Sequence, residues 1–362
     1  MTYRVKRIVS VLCLVAALFS AALLPVSGYC ETLRFVFMAD GRGDALDDLI
    51  NKTVLNAINS QILELSPRPS FVIYGGDSVY RGHSGPSGGA YNFQKFKDAM
   101  QSLTDAGIKL YTVMGNHELY REDTPGFSLA NQQEFQTEFT DNPGNGPLGY
   151  ERLVYSFESP GGDAFFAIGD CYYLNLDDPN PALNLEGDGS LYGHFDDTQL
   201  TWLVNQVAQT KATHKFFFAH APYYQITGSQ SYQNTSFTQL WSILDKNRFD
   251  LFCCGHVHLY SRKTINRSIA PDPQLTPPVQ WKHNVTQLLT GTCGAPVDTD
   301  PPLVNIRKWH VFNDDATYYF SVVDIKGNHV KVTSYGGESS PYQVIDHFKI
   351  FRLFWPRLRL TD

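Results

Sequence analysis

Short apolar runs, each closing on a small cluster of glycine and polar residues, set the rhythm of the first third of the chain. Leu33–Met38 ends at Ala39-Asp40-Gly41, Phe71–Tyr74 at Gly75-Gly76-Asp77, and Lys109–Met114 at Gly115-Asn116-His117-Glu118. Runs of this length bounded by glycine read as buried strands. Between the first two, Leu49, Ile50, Val54, Leu55, Ile58, Ile62 and Leu65 recur at the helical period, predicting a helix over 47–65 that Pro67 and Pro69 stop. A glycine-rich loop, Gly82 to Gly89, leads into a second predicted helix over Asn92–Leu103. Strand, helix, strand, helix, strand is the α/β arrangement, and in such sheets ligands gather beyond the carboxyl ends of the strands.

The second half is richer in strands. Val154–Phe157, Ala164–Ile168 and Tyr172–Leu176 predict strands, and Asp197–Val207 a helix. Lys215–Ala219 is a buried strand ending at His220, and Asp250–Cys254 another ending at Gly255-His256-Val257-His258. Residues 261–285 show no clear period and read as a long loop, after which strands return at 287–290, 318–324 and 329–334. Neither a short repeat nor a linker divides the chain, so one elaborated domain over 31–340 is expected, followed by a C-terminal extension over 341–362. The stretch from Val344 to Leu360 mixes apolar with basic residues and reads as an extra strand covering a sheet edge or as a membrane-surface segment.

The N-terminus has a different pattern. Arg4, Lys6 and Arg7 precede an apolar run from Ile8 to Leu24, and small residues follow Pro25 up to Gly28. This is the layout of a secretory signal peptide over 1–28. Its about 15 apolar residues fall short of the roughly 20 that span a bilayer. Cleavage removes three basic and no acidic residues, taking the formal charge from −7 to −10. The expected product is an acidic, exported chain, periplasmic or extracellular. With 29 basic against 36 acidic residues, no broad nucleic-acid-binding face is expected. Membrane contact is expected only from a retained signal or an interfacial tail. At 43% hydrophobic and 18% charged residues, wholesale disorder is excluded. Without Cys13, five cysteines remain, an odd number that cannot all pair within one chain.

Five strand ends present metal-ligand residue types: Asp40, Asp77, Asn116-His117, His220 and His256-Val257-His258. Singly each has an ordinary account, as a turn, a cap or a chance surface pair. Five together, at strand ends of one α/β chain, point to a common site. In order and spacing they resemble the calcineurin-like metallophosphoesterase superfamily, over about residues 33 to 335. Gly115-Asn116-His117-Glu118 and Gly255-His256-Val257-His258 are the most specific elements.

That resemblance implies an α/β fold, a four-layer α/β/β/α sandwich with mixed β-sheets, around two metal ions of Mn, Fe or Zn type. Asp77 would bridge them, Asp40 and His258 would bind the first, and Asn116, His220 and His256 the second. Carboxylates, imidazoles and an amide are the donors such ions take. The implied activity is hydrolysis of phosphomonoesters or phosphodiesters by metal-activated hydroxide. His117 would stabilise or protonate the leaving oxygen, and Glu118 would orient its neighbours.

One residue departs from the pattern. Arg42 stands where most members carry a histidine ligand for the first metal, and a guanidinium stays protonated and cannot ligate. Gly76-Asp77-Ser78-Val79-Tyr80 is similar to the purple acid phosphatase motif whose tyrosine binds ferric iron, making Tyr80 a candidate replacement. The other option is a first metal held weakly by Asp40, Asp77, His258 and water. Arg42 would clamp a substrate phosphate bidentately or pair with Asp44 or Asp47. Arg81 to Ala90 and Pro222-Tyr223-Tyr224 are expected to line the site. A non-catalytic phosphate- or partner-binding module on the same fold is the competing reading, and Arg42 is its one support.

Overall fold

The computed structural model describes residues 32–44, 49–82, 89–120, 127–174, 193–224, 235–267, 280–296, 310–312 and 317–352. The predicted signal peptide, most of the glycine-rich loop and the basic end of the tail lie outside them.

Alternation within the strands builds the layers. In β1 (Leu33–Met38) and β2 (Phe71–Tyr74), Phe35, Phe37, Phe71 and Ile73 point one way, while Val36, Met38, Val72 and Tyr74 point the other. The first set meets Phe166 of β5 (Ala164–Ile168) and Phe216 and Phe218 of β6 (His214–Phe218) in a core between two sheets. Phe35 lies edge-on to Phe166 and Phe216 at 5.4 and 5.5 Å. The second set packs beneath α1 (Lys52–Glu64) and α2 (Gly89–Asp105). Strands buried on both faces read as continuous apolar runs, which is why these were visible in the sequence. On the far side, Trp241 of α5 (Thr235–Lys246) lies edge-on to Phe252 of β7 (Leu251–Cys254) at 5.6 Å, and α4 (Asp197–Gln209) joins the same layer. Four layers, α/β/β/α, result.

Among the described residues the first sheet runs β13-β12-β11-β1-β2-β3, where β3 is Lys109–Thr112, β11 Tyr318–Lys326, β12 His329–Gly337 and β13 Gln343–Phe351. The second runs β10-β8-β9-β7-β6-β5-β4, adding β4 (Tyr155–Glu158), β8 (Tyr260–Ile265), β9 (Val285–Thr290) and β10 (His310–Phe312). β1-β2-β3 and β5-β6-β7-β9 are parallel and the remaining pairings antiparallel, so both sheets are mixed.

Two expectations are corrected. No strand begins at Tyr172: residues 171–172 form a turn, in which the Asp170 carboxylate accepts from the Tyr172 N–H at 2.8 Å. The stretch read as a loop from 261 opens as β8, paired with β9 from Tyr260↔Thr290 to Ile265↔Val285. Its charged Arg262 is neutralised within the fold by Asp346, at 2.7 Å. Two helices were not expected, α3 (Leu129–Glu138) and α5. Of the two readings of the tail, residues 343–351 take the extra strand, paired along β12.

Candidate metal centre

The two sheets meet where their central strands end. Ala39 and Gly291 form a parallel bridge there, Asp40 N–H donates to the Gly76 carbonyl at 3.0 Å, and Gly255 N–H to the His220 carbonyl at 2.8 Å. Such close approach excludes side chains at two positions. A Cβ on Gly76 (φ +96°) would lie 2.5 Å from His220 Nδ1, and one on Gly255 2.4 Å from Asp40 Oδ2. Asp40, Asp77 and His256 themselves sit at positive φ, 59°, 54° and 71°. Left-handed backbone costs a non-glycine residue about 1–3 kcal/mol and gathers at functional sites. Here it falls on three of the residues singled out as ligands.

The geometry brings the sequence candidates together. Asp77, His220 and His256 offer donor atoms within 4.8 Å of one another, as do Asp40, Asp77 and His258. Asn116 Oδ1 lies 3.0 Å from His256 Nδ1, which adds a fourth donor to the first group. Backbone carbonyls fix three imidazoles in one tautomer: His220 Nδ1 faces the Gly75 carbonyl at 2.8 Å, His258 Nδ1 that of Pro296 at 2.6 Å, and His117 Nδ1 that of Tyr80 at 2.6 Å. A carbonyl only accepts, so Nδ1 carries the proton and Nε2 is turned inward. His220 Nε2 lies 3.2 Å from Asp77 Oδ1, and His258 Nε2 3.8 Å from Asp40 Oδ1. His220 Nε2 is buried yet makes no hydrogen bond of acceptable geometry. A buried nitrogen left in that state among carboxylate and imidazole donors fits a transition-metal ligand.

Protons balance the charge of this cluster in the metal-free chain. Burial opposes a charge on His220, but the Asp77 carboxylate outweighs burial and lifts the imidazole to about 10. Burial likewise pushes Asp77 upward, and His220, His117 and Arg42 overcome it, holding the carboxyl well below its usual range. Asp40 is raised by burial against the pull of His220. His256 is lowered by burial and by the neighbouring His220. Burial takes His117 down to about 4, so it is neutral at pH 7, although 16% of its side chain stays open to solvent.

Arg42 and Tyr80 have defined surroundings in the fold, and Tyr223 and Tyr224 fall elsewhere than expected. Arg42 does not pair with Asp44, Asp47 lies outside the described residues, and Arg42 Nε lies 3.7 Å from Asp77 Oδ2. Tyr80 presents its ring to two guanidiniums, with Arg42 Cζ at 5.7 Å and Arg81 Cζ at 5.5 Å, and to the His117 ring at 5.5 Å. Tyr223 and Tyr224 do not line the centre. They are buried beneath α5, Tyr223 stacked on Trp241 at 5.3 Å and Tyr224 bonded through its hydroxyl to Trp281. The sequence reading missed Tyr120, edge-on to His117 at 4.9 Å, and Tyr172, whose ring is 5.9 Å from His220 and 6.1 Å from His256. Tyr120 stands three residues after His117, a signal within reach. Tyr172 was hidden by its assignment to a strand.

Comparison with known proteins agrees with this geometry. The family model described as calcineurin-like phosphoesterase matches residues 34–260, more than half of the chain. The chain belongs to that family, and the α/β sandwich expected from the sequence is the fold observed. Among solved structures it is similar to a purple acid phosphatase from yellow lupin (Lupinus luteus) seeds, with a TM-score of 0.63 and 18% identity. That match covers 89% of this chain and 54% of the lupin enzyme, so the chain spans about half that relative's length. It is also similar to PhoD (TM-score 0.56, 12% identity, 87% of this chain and 72% of that one). A third similar structure is the anchor protein of the Plasmodium inner membrane complex (TM-score 0.53, 16% identity, 88% and 89%). At these identities the likeness is one of fold. No curated protein matches by sequence.

Proposed function

We propose that this protein is an exported, metal-dependent phosphoesterase that hydrolyses phosphomonoesters or phosphodiesters at a centre of two metal sites. The observation that carries the reading is the set of carbonyl-fixed imidazoles whose Nε2 atoms face two buried carboxylates. In this reading Asp77 is shared, Asp40 and His258 complete the first site, and Asn116, His220 and His256 the second. Metal ions of Mn, Fe or Zn type, when bound, supply Lewis acidity, offsetting charge on phosphoryl oxygens and lowering the pKa of water.

The chain's own residues do the rest. Neutral His117 holds its proton on Nδ1 against the Tyr80 carbonyl and turns Nε2 toward the Asp77 side of the centre, 3.9 Å from Oδ2. A phosphate ester brings negative charge next to that imidazole, and an opposite charge raises its pKa. With substrate present the imidazole takes up a proton at Nε2, where it serves the leaving oxygen. The Tyr80 and Tyr120 rings pack against the His117 imidazole, and the Tyr172 ring lies near that of His256.

A binding module on the same fold is the second reading, and the guanidinium facing Asp77 is what favours it. His117→Ala separates the two. In the enzyme it keeps its metal and loses about 10²–10⁴ in turnover, whereas a binding module keeps its full function. Tyr80 as an iron(III) phenolate ligand predicts a coloured protein, and a colourless iron-loaded sample removes it from the ligand set. Export rests on the pattern of residues 1–28. It predicts a mature chain beginning near residue 29 outside the cytoplasm, read by mass spectrometry of fractionated cells.

A further inference from the structure

We propose that Arg42 acts as a fixed cation within the centre, so that the two metal sites are unequal. Asp77, Asn116, His220 and His256 hold one ion tightly. Asp40, Asp77 and His258 hold a second only weakly, and the Arg42 guanidinium takes over part of that ion's contact with substrate phosphate. The inference rests on the phosphoesterase reading above and concerns how its centre is loaded.

The position of Arg42 is built by the fold. Its backbone N–H donates to the Asp77 carbonyl at 3.1 Å, and the residue forms an antiparallel bridge with Ile50 just before α1. The Tyr80 ring lies 5.7 Å from Cζ, and Nη1 donates to the Gly43 carbonyl at 3.0 Å. With 14% of its side chain exposed, the guanidinium is held at the edge of the site rather than in bulk water.

Within that position its hydrogen-bonding capacity is not spent. Among the described residues Nη1 is the one Arg42 side-chain nitrogen with a hydrogen-bond acceptor, and Nε is buried without one. The 3.7 Å to Asp77 Oδ2 is charge attraction, too long for a hydrogen bond. With Nε buried against Asp77 and Nη1 on the Gly43 carbonyl, Nη2 is the guanidinium nitrogen left to meet a phosphate oxygen.

Asp77 shows the other half of the asymmetry. Its Oδ1 accepts from the His117 N–H at 3.0 Å and faces His220 Nε2 at 3.2 Å, on the side of the four-donor set. Its Oδ2 faces Arg42 Nε at 3.7 Å and His117 Nε2 at 3.9 Å. Both oxygens of Asp40 already accept from the His256 N–H, at 3.1 and 3.0 Å. The first site therefore has three protein donors against four, and the carboxylate it shares already faces a permanent positive charge. Repulsion between that charge and a metal ion weakens the ion. A guanidinium does not deprotonate, so pH offers no relief.

The experiment is a calorimetric titration of Mn²⁺ into the mature full-length chain after chelation, for wild type, Arg42→Lys, Arg42→Gln and Arg42→His. Circular dichroism confirms that each variant is folded. The wild type is expected to bind one ion tightly and a second about a hundredfold more weakly. Arg42→Lys, which keeps the charge, is expected to leave that gap in place. Arg42→Gln and Arg42→His should tighten the second ion by at least about tenfold and leave the first unchanged. Inorganic phosphate should bind the one-ion form of Arg42→Gln about tenfold more weakly than that of the wild type. Two equally tight ions in the wild type, or a second-ion affinity unmoved in both neutralising variants, overturns the inference while the phosphoesterase reading stands. A wild-type chain that binds no ion overturns both.

Discussion

Glu118 offers no atom to either donor group, yet its two oxygens accept from the N–H of Asp77 (3.0 Å), Ser78 (2.6 Å) and Gly115 (2.8 Å) and from the Ser78 hydroxyl (2.7 Å). One side chain thus ties the turn after β2 to the turn after β3 and sets where Asp77 and Asn116 stand. Glu118→Ala would leave three buried N–H groups and a buried hydroxyl without this partner, each worth about 1–3 kcal/mol. The expected result is a loss of at least about 3 kcal/mol in chemical denaturation, together with weaker metal binding. His220 gives the pH dependence. Its folded pKa of about 10 lies above the unfolded value of about 6.5. The stabilisation it brings to the metal-free chain is therefore complete below about pH 6.5 and is lost as pH rises through about 10. A metal ion bound at His220 would take the place of that proton. Uptake should release a proton and apparent affinity should climb with pH, by up to about tenfold per unit inside that window. An indicator-linked metal titration at several pH values reads both.

At the scale of elements, the strand-end turns carry the chemistry and the last strand carries stability. Gly76→Ala places a Cβ against His220 at a φ that alanine adopts only under strain. It should cost about 1–3 kcal/mol and displace His220, visible as weakened metal binding in a chain that still folds. β13 is tied to the second sheet as well as to β12. Asp346 accepts from Tyr260 at 2.8 Å and from Arg262, and Arg352, just past the strand, donates to the buried Asp250 at 2.7 Å. A chain ending at residue 340 would leave Asp250 short of a cation and β12 as a bare edge. It should lose at least about 3 kcal/mol and aggregate on warming, as denaturation and light scattering would show. The same elements show what a sequence can express. β1, β2 and β5 were legible to the residue because each is apolar on both faces. α3 was not, because Phe135 is the one large apolar side chain it buries. α5 carries Phe237, Leu240, Trp241 and Leu244 at helical spacing, a signal that was present and passed over. β8 was concealed by two charged residues, Arg262, whose partner Asp346 lies on β13 far away in sequence, and Lys263.

For the whole molecule, the sandwich matters because it brings the ends of β1, β2, β3, β6 and β7 to one point, joining residues as distant as Asp40 and His258. Convergence of this kind is why the candidate ligands could be named from strand-end residues alone. In the fold they fall into two donor groups, Asp77 with His220 and His256, and Asp40 with Asp77 and His258. The direction in which Arg42 points could not be read, since loop acids and a buried carboxylate were equally available along the chain. Nor could the burial of Tyr223 and Tyr224 be read, since it depends on α5. Metal-dependent hydrolysis is the property on which the proposed function depends. Its most direct test is the rate at which the chain hydrolyses p-nitrophenyl phosphate and bis(p-nitrophenyl) phosphate before chelation, after it, and after return of Mn, Zn or Fe. Turnover of at least one ester that chelation abolishes and metal restores, and that is absent in Asp77→Asn, is the result predicted here. Turnover indifferent to chelation, or none from the metal-loaded chain on either ester, would contradict it.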